Sequence, residues 1–161
     1  MSRRDRTTVL KNMVAAYWAS QRYAVFFEVK LSPRKTRVPA KRCRCDVLAV
    51  NTKGHIVITE VKSGRADYTA DHKHHLYLPY CNRMFFALPP DMKVPEELRA
   101  HPEVGVLVPR ADGQVLRVVK RASRRLVSGK LKRSTVLHLL YRAADHTRFG
   151  SPMRTTWTDS V

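Results

Sequence analysis

Apolar residues in the first third of the chain change from a helical to a strand-like pattern. Residues 8–22 have the three- and four-residue spacing of a helix with one apolar face, formed by Val9, Leu10, Met13, Val14, Tyr17 and Trp18. Thr7 or Thr8 is a suitable N-cap for this helix. Residues 23–31 are rich in aromatic and β-branched side chains and predict a strand. Residues 32–44 contain two prolines and many Lys and Arg residues, which indicates a basic loop.

Two further apolar runs, residues 45–51 and 55–62, predict a β-hairpin. The three residues between them end in Gly54, which suits a hairpin loop with glycine in the left-handed conformation. Each face of this hairpin is apolar, with Leu48, Val50, Ile56 and Ile58 on one and Val47, Ala49, Val57 and Val61 on the other. Because a strand that is apolar on both faces must be covered on both faces, we expect helices above and below the sheet.

The second half of the chain continues this alternation of elements. A helix over residues 67–80 and a buried strand over 83–88 complete an α-β-β-β-α-β order. Further elements are predicted at 95–100 (helix), 104–108 and 115–120 (strands) and 134–145 (helix). We therefore predict an α/β fold with a mixed central sheet, formed by residues 1–121. Residues 122–161 are predicted to be a basic extension with one helix and a tail without periodicity, for which disorder is one interpretation.

The charge of the chain indicates its partner. The 161 residues carry 31 Lys and Arg against 13 Asp and Glu, a formal net charge of +18. Neither a long apolar span nor the apolar segment of a signal peptide is evident, which favours a cytoplasmic protein that binds a polyanion over a membrane protein. Nucleic acid is the expected partner, bound with steep salt dependence and little sequence preference. The predicted contacts are Arg34, Lys35, Arg37, Lys41, Arg42, Arg44, Lys73, Arg124, Arg125, Lys130, Lys132 and Arg133.

The predicted hairpin brings three charged residues together. A loop of residues 52–54 pairs each residue with the one whose number completes a sum of 106, so Asp46 falls opposite Glu60. Lys62 lies two residues after Glu60 and therefore on the same face. Because two opposed carboxylates repel each other, a cation is required beside them.

Two interpretations of this charged group remain open. Lys62 itself would supply the positive charge in a partly buried ion triad that closes the edge of the core. Alternatively, Asp46, Glu60 and the main-chain carbonyl of Val61 would hold Mg²⁺, which is commonly bound by one or two carboxylates plus substrate phosphate. Lys62 would then orient the attacking water or stabilise charge on the phosphate.

The sequence from Glu28 to Val108 resembles the PD-(D/E)XK nuclease superfamily, and most closely its MmcB-like group of DNA repair endonucleases. The resemblance rests on "CDVLAVNTKGHIVITEVKSGRADYTADHK" and "YCNRMFFALP". It implies catalytic roles for Asp46, Glu60 and Lys62, and it places Glu28 as a further metal ligand or base. The alternative for Glu28 is a surface carboxylate paired with nearby Lys or Arg. Asp71 and Lys73 also match. A longer and more basic link before Asp46 departs from the group, and no resemblance is evident after Lys120.

Cysteine and histidine residues do not predict a structural metal site. Cys43, Cys45 and Cys81 lack the paired spacing of zinc ligands, and His72, His74 and His75 are better explained as exposed side chains. An odd number of cysteines in an intracellular chain also favours reduced thiols over disulfides.

The sequence therefore predicts a Mg²⁺-dependent deoxyribonuclease that acts in DNA repair, recombination or mobile-element processing. Mn²⁺ is expected to substitute for Mg²⁺, no small-molecule cofactor is expected, and a homodimer would suit the cutting of both strands. A non-catalytic nucleic-acid-binding protein that keeps the nuclease fold is the alternative.

Overall fold

The computed structural model describes residues 2–31, 43–70 and 73–149, with side chains up to residue 145. Its centre is a six-stranded mixed sheet with strands in sequence order. The strands are β1 (Ala24–Lys30), β2 (Arg44–Val50), β3 (Ile56–Val61), β4 (Arg83–Ala87), β5 (Val104–Pro109) and β6 (Leu116–Lys120). The helices are α1 (Arg3–Ser20), α2 (Arg65–Thr69), α3 (His74–Tyr77) with a following 3₁₀ turn (Leu78–Tyr80), α4 (Glu96–Ala100) and α5 (Gly129–Phe149). The predicted α/β class and mixed sheet are confirmed.

Strand direction changes within the sheet. β1, β2 and β3 form an antiparallel meander. β4 and β5 continue it parallel to β3, and β6 returns antiparallel to β5. Parallel neighbours require crossover connections, which here contain α2, α3 and α4.

Each face of the sheet carries its own core. On one face Leu10, Val14 and Trp18 of α1 pack against Val47, Ala49, Val57 and Val61. On the other face Leu76, Leu98 and Leu139 of the remaining helices pack against Leu48, Ile56 and Ile58. The predicted assignment of these strand residues to two apolar faces is confirmed, because both sets are buried on opposite sides.

The hairpin between β2 and β3 has the predicted register. Four consecutive Cα pairs, from Val50–Ile56 to Val47–Thr59, each complete the sum of 106. The Asn51 N–H donates to the His55 carbonyl, and Gly54 has φ of +72°. The left-handed glycine therefore closes the turn as its position in the sequence indicated.

Two predicted helix boundaries are wrong because local caps were overlooked. α1 begins at Arg3, five residues before the predicted start at residue 8, because Ser2 and Asp5 form a reciprocal capping box. α5 begins at Gly129 instead of residue 134, and it continues to Phe149. The Ser128 hydroxyl accepts the Leu131 N–H at its start.

The single helix predicted over residues 67–80 is also wrong. The structure has the short helices α2 and α3 and a 3₁₀ turn in this segment. Pro79 lies in that turn, where it cannot donate the hydrogen bond of a continuous α-helix.

Several residues discussed from the sequence lie outside the described residues. The predicted DNA contacts among them are Arg34, Lys35, Arg37, Lys41 and Arg42, before β2. Asp71 and His72 before α3 and the tail from residue 150 also lie outside. In the part of the chain that is described, no helix combines the length and apolar character needed to cross a membrane.

Candidate active site

On the neighbouring strands β1 and β2, side chains stop alternating regularly between the two faces of the sheet at the same point. In β2, Cys45 lies in the core beneath α3 and α5, whereas Val47 lies in the core beneath α1. In β1, Val29 lies in the core beneath α3 and α5, whereas Val25 packs against the core beneath α1. Because residues two apart normally share a face, each strand must contain one irregular position between these pairs. Those positions are Glu28 and Asp46.

Glu28 and Asp46 face each other across this irregularity. The Cα pairs of β1 and β2 run from Phe27–Val47 directly to Val29–Cys45. Glu28 has φ of +52°, a left-handed conformation that side chains other than glycine rarely adopt. Irregular strand positions of this kind are common beside active sites, where they redirect side chains.

The carboxylates of Asp46 and Glu60 each accept a main-chain hydrogen bond across the two strands. The Asp46 N–H donates to Glu60 Oε1 at 3.0 Å, and the Val61 N–H donates to Asp46 Oδ2 at 2.8 Å. These bonds lie just beyond Val47–Thr59, the last Cα pair of β2 and β3. The structure therefore fixes both carboxylates at the level of the sheet where the register placed these two residues opposite each other.

The simple face argument does not describe Asp46. Strict alternation would extend the face of Leu48 and Val50 to Asp46, but the phase change lies at this residue. Asp46 Oδ1 instead contacts Lys11 Nζ of α1 at 2.9 Å. The carboxylate thus connects β3 with α1.

Glu60 and Lys62 form a buried ion pair. Lys62 Nζ lies 3.8 Å from Glu60 Oε2 and 5.5 Å from the centroid of the Phe86 ring. Each residue is only 4% exposed. Burial of an ion pair costs free energy unless further polar contacts compensate, so its retention in a core favours a functional role.

Lys11 is a member of the site that the sequence analysis did not identify. Its ammonium contacts both Glu28 and Asp46 from the side of α1. Burial alone would lower the pKa of Lys11, but hydrogen bonds and charges from Glu28 and Asp46 raise it above its usual value. Its place beside the apolar stripe at Leu10 and Val14 was the available signal. The way α1 packs on β1 and β2 was not visible in the sequence.

Glu28 also binds Arg44. Arg44 Nε lies 2.7 Å from Glu28 Oε2, so this predicted DNA contact is engaged within the site. Together the three carboxylates Glu28, Asp46 and Glu60 face the three cations Lys11, Arg44 and Lys62. The formal charges of these six residues balance, and the charge of Glu28 also acts on Arg142.

The donors suit a two-carboxylate magnesium site. Within residues 2–31, 43–70 and 73–149, no three His, Cys, Asp or Glu side chains are grouped as a metal site. Mg²⁺ does not need three, because it keeps several waters and shares the substrate phosphate. Asp46 and Glu60 are fixed by main-chain donors, and the Lys11 ammonium already shows that positive charge is favoured beside Asp46.

The other predicted DNA contacts are distributed over the surface. Arg125 pairs with Glu103 and is partly buried. Lys73 precedes α3, and its charge lowers the pKa of the Cys43 thiol. Burial has the larger effect, so the pKa of Cys43 is raised overall. Exposed positions are occupied by Arg124, Lys130 and Arg133, and Lys132 is partly exposed.

The three cysteines are free and buried. Burial raises the pKa of the Cys81 thiol to about 12. Burial, followed by the charges of Glu60 and Asp46, raises the pKa of Cys45 well above its usual value. Both thiols are therefore protonated at neutral pH, and a protonated thiol is neither a good nucleophile nor a metal ligand.

Comparison with known proteins gives a family and a similar fold. The family model described as DNA repair protein MmcB-like matches residues 2–151. The match continues past Lys120, so the expectation that the resemblance ends there is wrong. A search of curated proteins gives no match. A solved structure of a protein of unknown function from Silicibacter pomeroyi has 26% identity and a TM-score of 0.67, covering 89% of this chain and 92% of that one. The chain belongs to the MmcB-like family of DNA repair proteins.

Proposed function

We propose that this protein is a metal-dependent DNA endonuclease of the PD-(D/E)XK type, acting in DNA repair. The observation that carries the proposal is that main-chain donors fix both carboxylates, Asp46 N–H holding Glu60 and Val61 N–H holding Asp46, with Lys62 beside Glu60. It occurs where β2 and β3 cease to pair, so the carboxylates take the place of ladder hydrogen bonds. The family membership supports a role on DNA.

The side chains have separable roles in phosphodiester hydrolysis. Asp46 and Glu60, with the main-chain carbonyl of Val61, would hold Mg²⁺ or Mn²⁺. The bound ion would polarise the scissile phosphate and lower the pKa of a water molecule. Lys62, fixed by Glu60 and Phe86, would donate to a non-bridging phosphate oxygen as negative charge develops. Glu28, which is partly exposed, would accept a proton from the attacking water.

Lys11 supports a second candidate function, a DNA-binding protein without catalysis. Because Lys11 and Arg44 neutralise Glu28 and Asp46, the cluster is also a balanced set of ion pairs. In that case the carboxylates stabilise the contact between α1 and the sheet, and the basic surface alone serves the function.

The variants Asp46→Asn and Glu60→Gln test catalysis with little change in shape. The amide oxygen of each can still accept the main-chain N–H that its carboxylate accepts now. Cleavage of plasmid, linear and branched DNA with Mg²⁺ or Mn²⁺ is expected to fall at least about 100-fold in both variants. Asp91→Asn removes an exposed carboxylate that pairs with Arg6, and this control should cleave normally.

DNA binding and metal binding are measured on the same proteins. Fluorescence anisotropy should show that both variants still bind DNA, and calorimetry should show weaker binding of Mn²⁺. The nuclease proposal is rejected if the wild-type protein cuts none of the substrates and both variants have lower thermal stability. The second candidate function then takes its place.

A further inference from the structure

A second cluster of charge lies at the hairpin end of β2 and β3, away from the candidate active site. We call it the hairpin-tip cluster, and it consists of Lys53, His55, Arg83, Arg124 and Lys132. These residues come from the β2–β3 loop, the start of β4, the segment after β6, and α5. All five side chains are exposed or partly exposed. Four separate parts of the chain thus bring positive charge to one place.

Direct contacts show how closely the cluster is assembled. Arg124 Nη2 lies 2.8 Å from His55 Nε2, and because a guanidinium can only donate, the imidazole accepts. A methyl group built on Gly54 would lie 3.5 Å from Lys132 Cδ and 3.8 Å from its Nζ. The cluster therefore surrounds the turn of the hairpin.

A buried amide organises three members of this cluster. Asn82 accepts the Ile56 N–H with its Oδ1 at 2.9 Å and donates from Nδ2 to the Arg125 carbonyl at 2.9 Å. The Arg125 N–H donates in return to the Asn82 carbonyl at 2.8 Å. The chain neighbours of Ile56, Asn82 and Arg125 are His55, Arg83 and Arg124. This core contact therefore fixes the main chain that carries the His55 imidazole and the two guanidinium groups of Arg83 and Arg124.

Among the described residues, no carboxylate forms an ion pair with any of the five members of the cluster. Burial, Arg124, Lys132, Lys53 and Arg83 all lower the pKa of His55. The first turn of α5 has no acidic residue, although a helix N-terminus favours an anion. An external anion would relieve this repulsion.

The hairpin-tip cluster is separate from the candidate active site. His55 and Glu60 are five residues apart in an extended segment, a separation of about 17 Å at about 3.3 Å per residue. At about 3.4 Å per nucleotide along one strand of a duplex, this spans about five base pairs. An anion bound at the tip would therefore differ from the phosphate at Asp46 and Glu60.

We propose that the hairpin-tip cluster binds the backbone phosphates of DNA. The chain belongs to a family of DNA repair proteins, so the anion is inferred to be DNA rather than a free phosphate or a lipid. The site is a binding surface and does not depend on catalysis, so it stands whether or not the nuclease proposal holds. It adds Lys53, His55 and Arg83 to the predicted contacts Arg124 and Lys132.

Binding of a labelled 20-base-pair duplex tests the proposal. The double variants Lys53→Ala/Arg83→Ala and Arg124→Ala/Lys132→Ala should each bind about tenfold more weakly near 100 mM salt. The slope of log affinity against log salt should become shallower by about one for each phosphate that the variant no longer neutralises. Because like charges are removed, neither double variant should unfold at a lower temperature than the wild type.

The matched control is Arg110→Ala/Arg117→Ala, which removes the same charge from exposed positions near β5 and β6. It should keep nearly all of the wild-type affinity. Equal losses in the control and the tip variants would overturn the proposal, since only net charge would then matter. Tip variants that bind duplex normally while losing affinity for inorganic phosphate or for phosphatidylserine vesicles would also overturn it, in favour of another anion.

Discussion

Glu28 combines a side chain in the candidate site with a backbone conformation that is unfavourable for it. A left-handed residue other than glycine costs roughly 1–2 kcal/mol, so the surrounding contacts must hold it there. Both contacts of its carboxylate, with Lys11 and Arg44, are ion pairs. The strain and the charged cluster are therefore properties of one residue.

Glycine and alanine substitutions at Glu28 separate the backbone from the carboxylate. Both remove the ion pairs equally, but only glycine relieves the positive φ. We expect Glu28→Gly to be more stable than Glu28→Ala by about 1 kcal/mol, measured by urea unfolding. At Lys30, on the regular part of β1, Lys30→Ala should instead be more stable than Lys30→Gly. The same order at both positions would contradict the left-handed conformation of residue 28.

At the residue scale, the sequence predicted those members of the site that depend on local rules. Turn length and alternation placed Glu60 beside Asp46 and Lys62, because both rules operate within one hairpin. Lys11 was missed because its contact depends on how α1 packs across two strands. The phase change at Glu28 and Asp46 was missed for a related reason, since the strand pattern alone gives no reason to break alternation there.

Among the elements, the strand β5 and the segment after β6 are in unusually close contact at Gly105. A methyl group built on Gly105 would lie 2.5 Å from Phe85 Cε1 and 2.8 Å from the Ala122 main-chain nitrogen. The Phe85 ring is buried and packs 5.5 Å from the Trp18 ring. Neither neighbour can move without disturbing the sheet or the core beneath α1.

Gly105→Ala is therefore expected to destabilise the fold by about 3 kcal/mol, through overpacking. Chemical unfolding monitored by far-UV circular dichroism would measure the change. Gly129→Ala is the control, because nothing lies within 4 Å of a methyl group built there. If both substitutions have the same effect, β5 and the segment after β6 are not packed as described.

Strands were predicted more accurately than helices. Alternating or uniformly apolar runs placed all six strands to within two residues, because burial on the sheet imposes that pattern. The helix ends depended on single caps, such as Ser2 with Asp5. The division of residues 67–80 into α2, α3 and a 3₁₀ turn reflects tertiary packing that overrides helical periodicity.

For the whole molecule, the lowered pKa values of three histidines connect stability with pH. Burial is the largest cause for each: it lowers the pKa of His55 together with Arg124 and Lys132, that of His101 together with Lys120, and that of His138 together with Arg142. A lowered pKa in the folded state means that the unfolded chain binds more protons near pH 6, so stability rises with pH. The contribution is complete above the unfolded value of about 6.5 and is lost as the pH falls towards the folded value.

We therefore expect a lower free energy of unfolding at pH 5.5 than at pH 7.5, measured in urea at constant salt. The double variant His55→Gln/His101→Gln should have a smaller difference between the two pH values. The lowered pKa of Asp67 acts only below its usual value of 3.8 and does not contribute in this range. A pH dependence that is unchanged in the double variant would assign the effect to other groups.

The folded structure shows where the excess positive charge of the chain lies. Composition predicted a polyanion as the partner, but it did not distinguish cations that pair with a carboxylate from those that do not. Arg44 and Arg125 pair with carboxylates, whereas no carboxylate of the described residues pairs with Arg124 or Lys132. Only the fold makes this distinction, because the relevant carboxylates, Glu28 and Glu103, are distant in sequence.

The main-chain hydrogen bonds that Asp46 and Glu60 accept have a consequence for divergence among related chains. These carboxylates end the pairing of β2 with β3 and satisfy the main-chain donors that this ending exposes. A descendant that exchanged both for apolar residues would leave two amide groups without acceptors, unless the strands paired further. Loss of the acidic pair should therefore leave a visible trace in evolution: a longer hairpin ladder, extending past Val47 and Thr59, in relatives that no longer carry it.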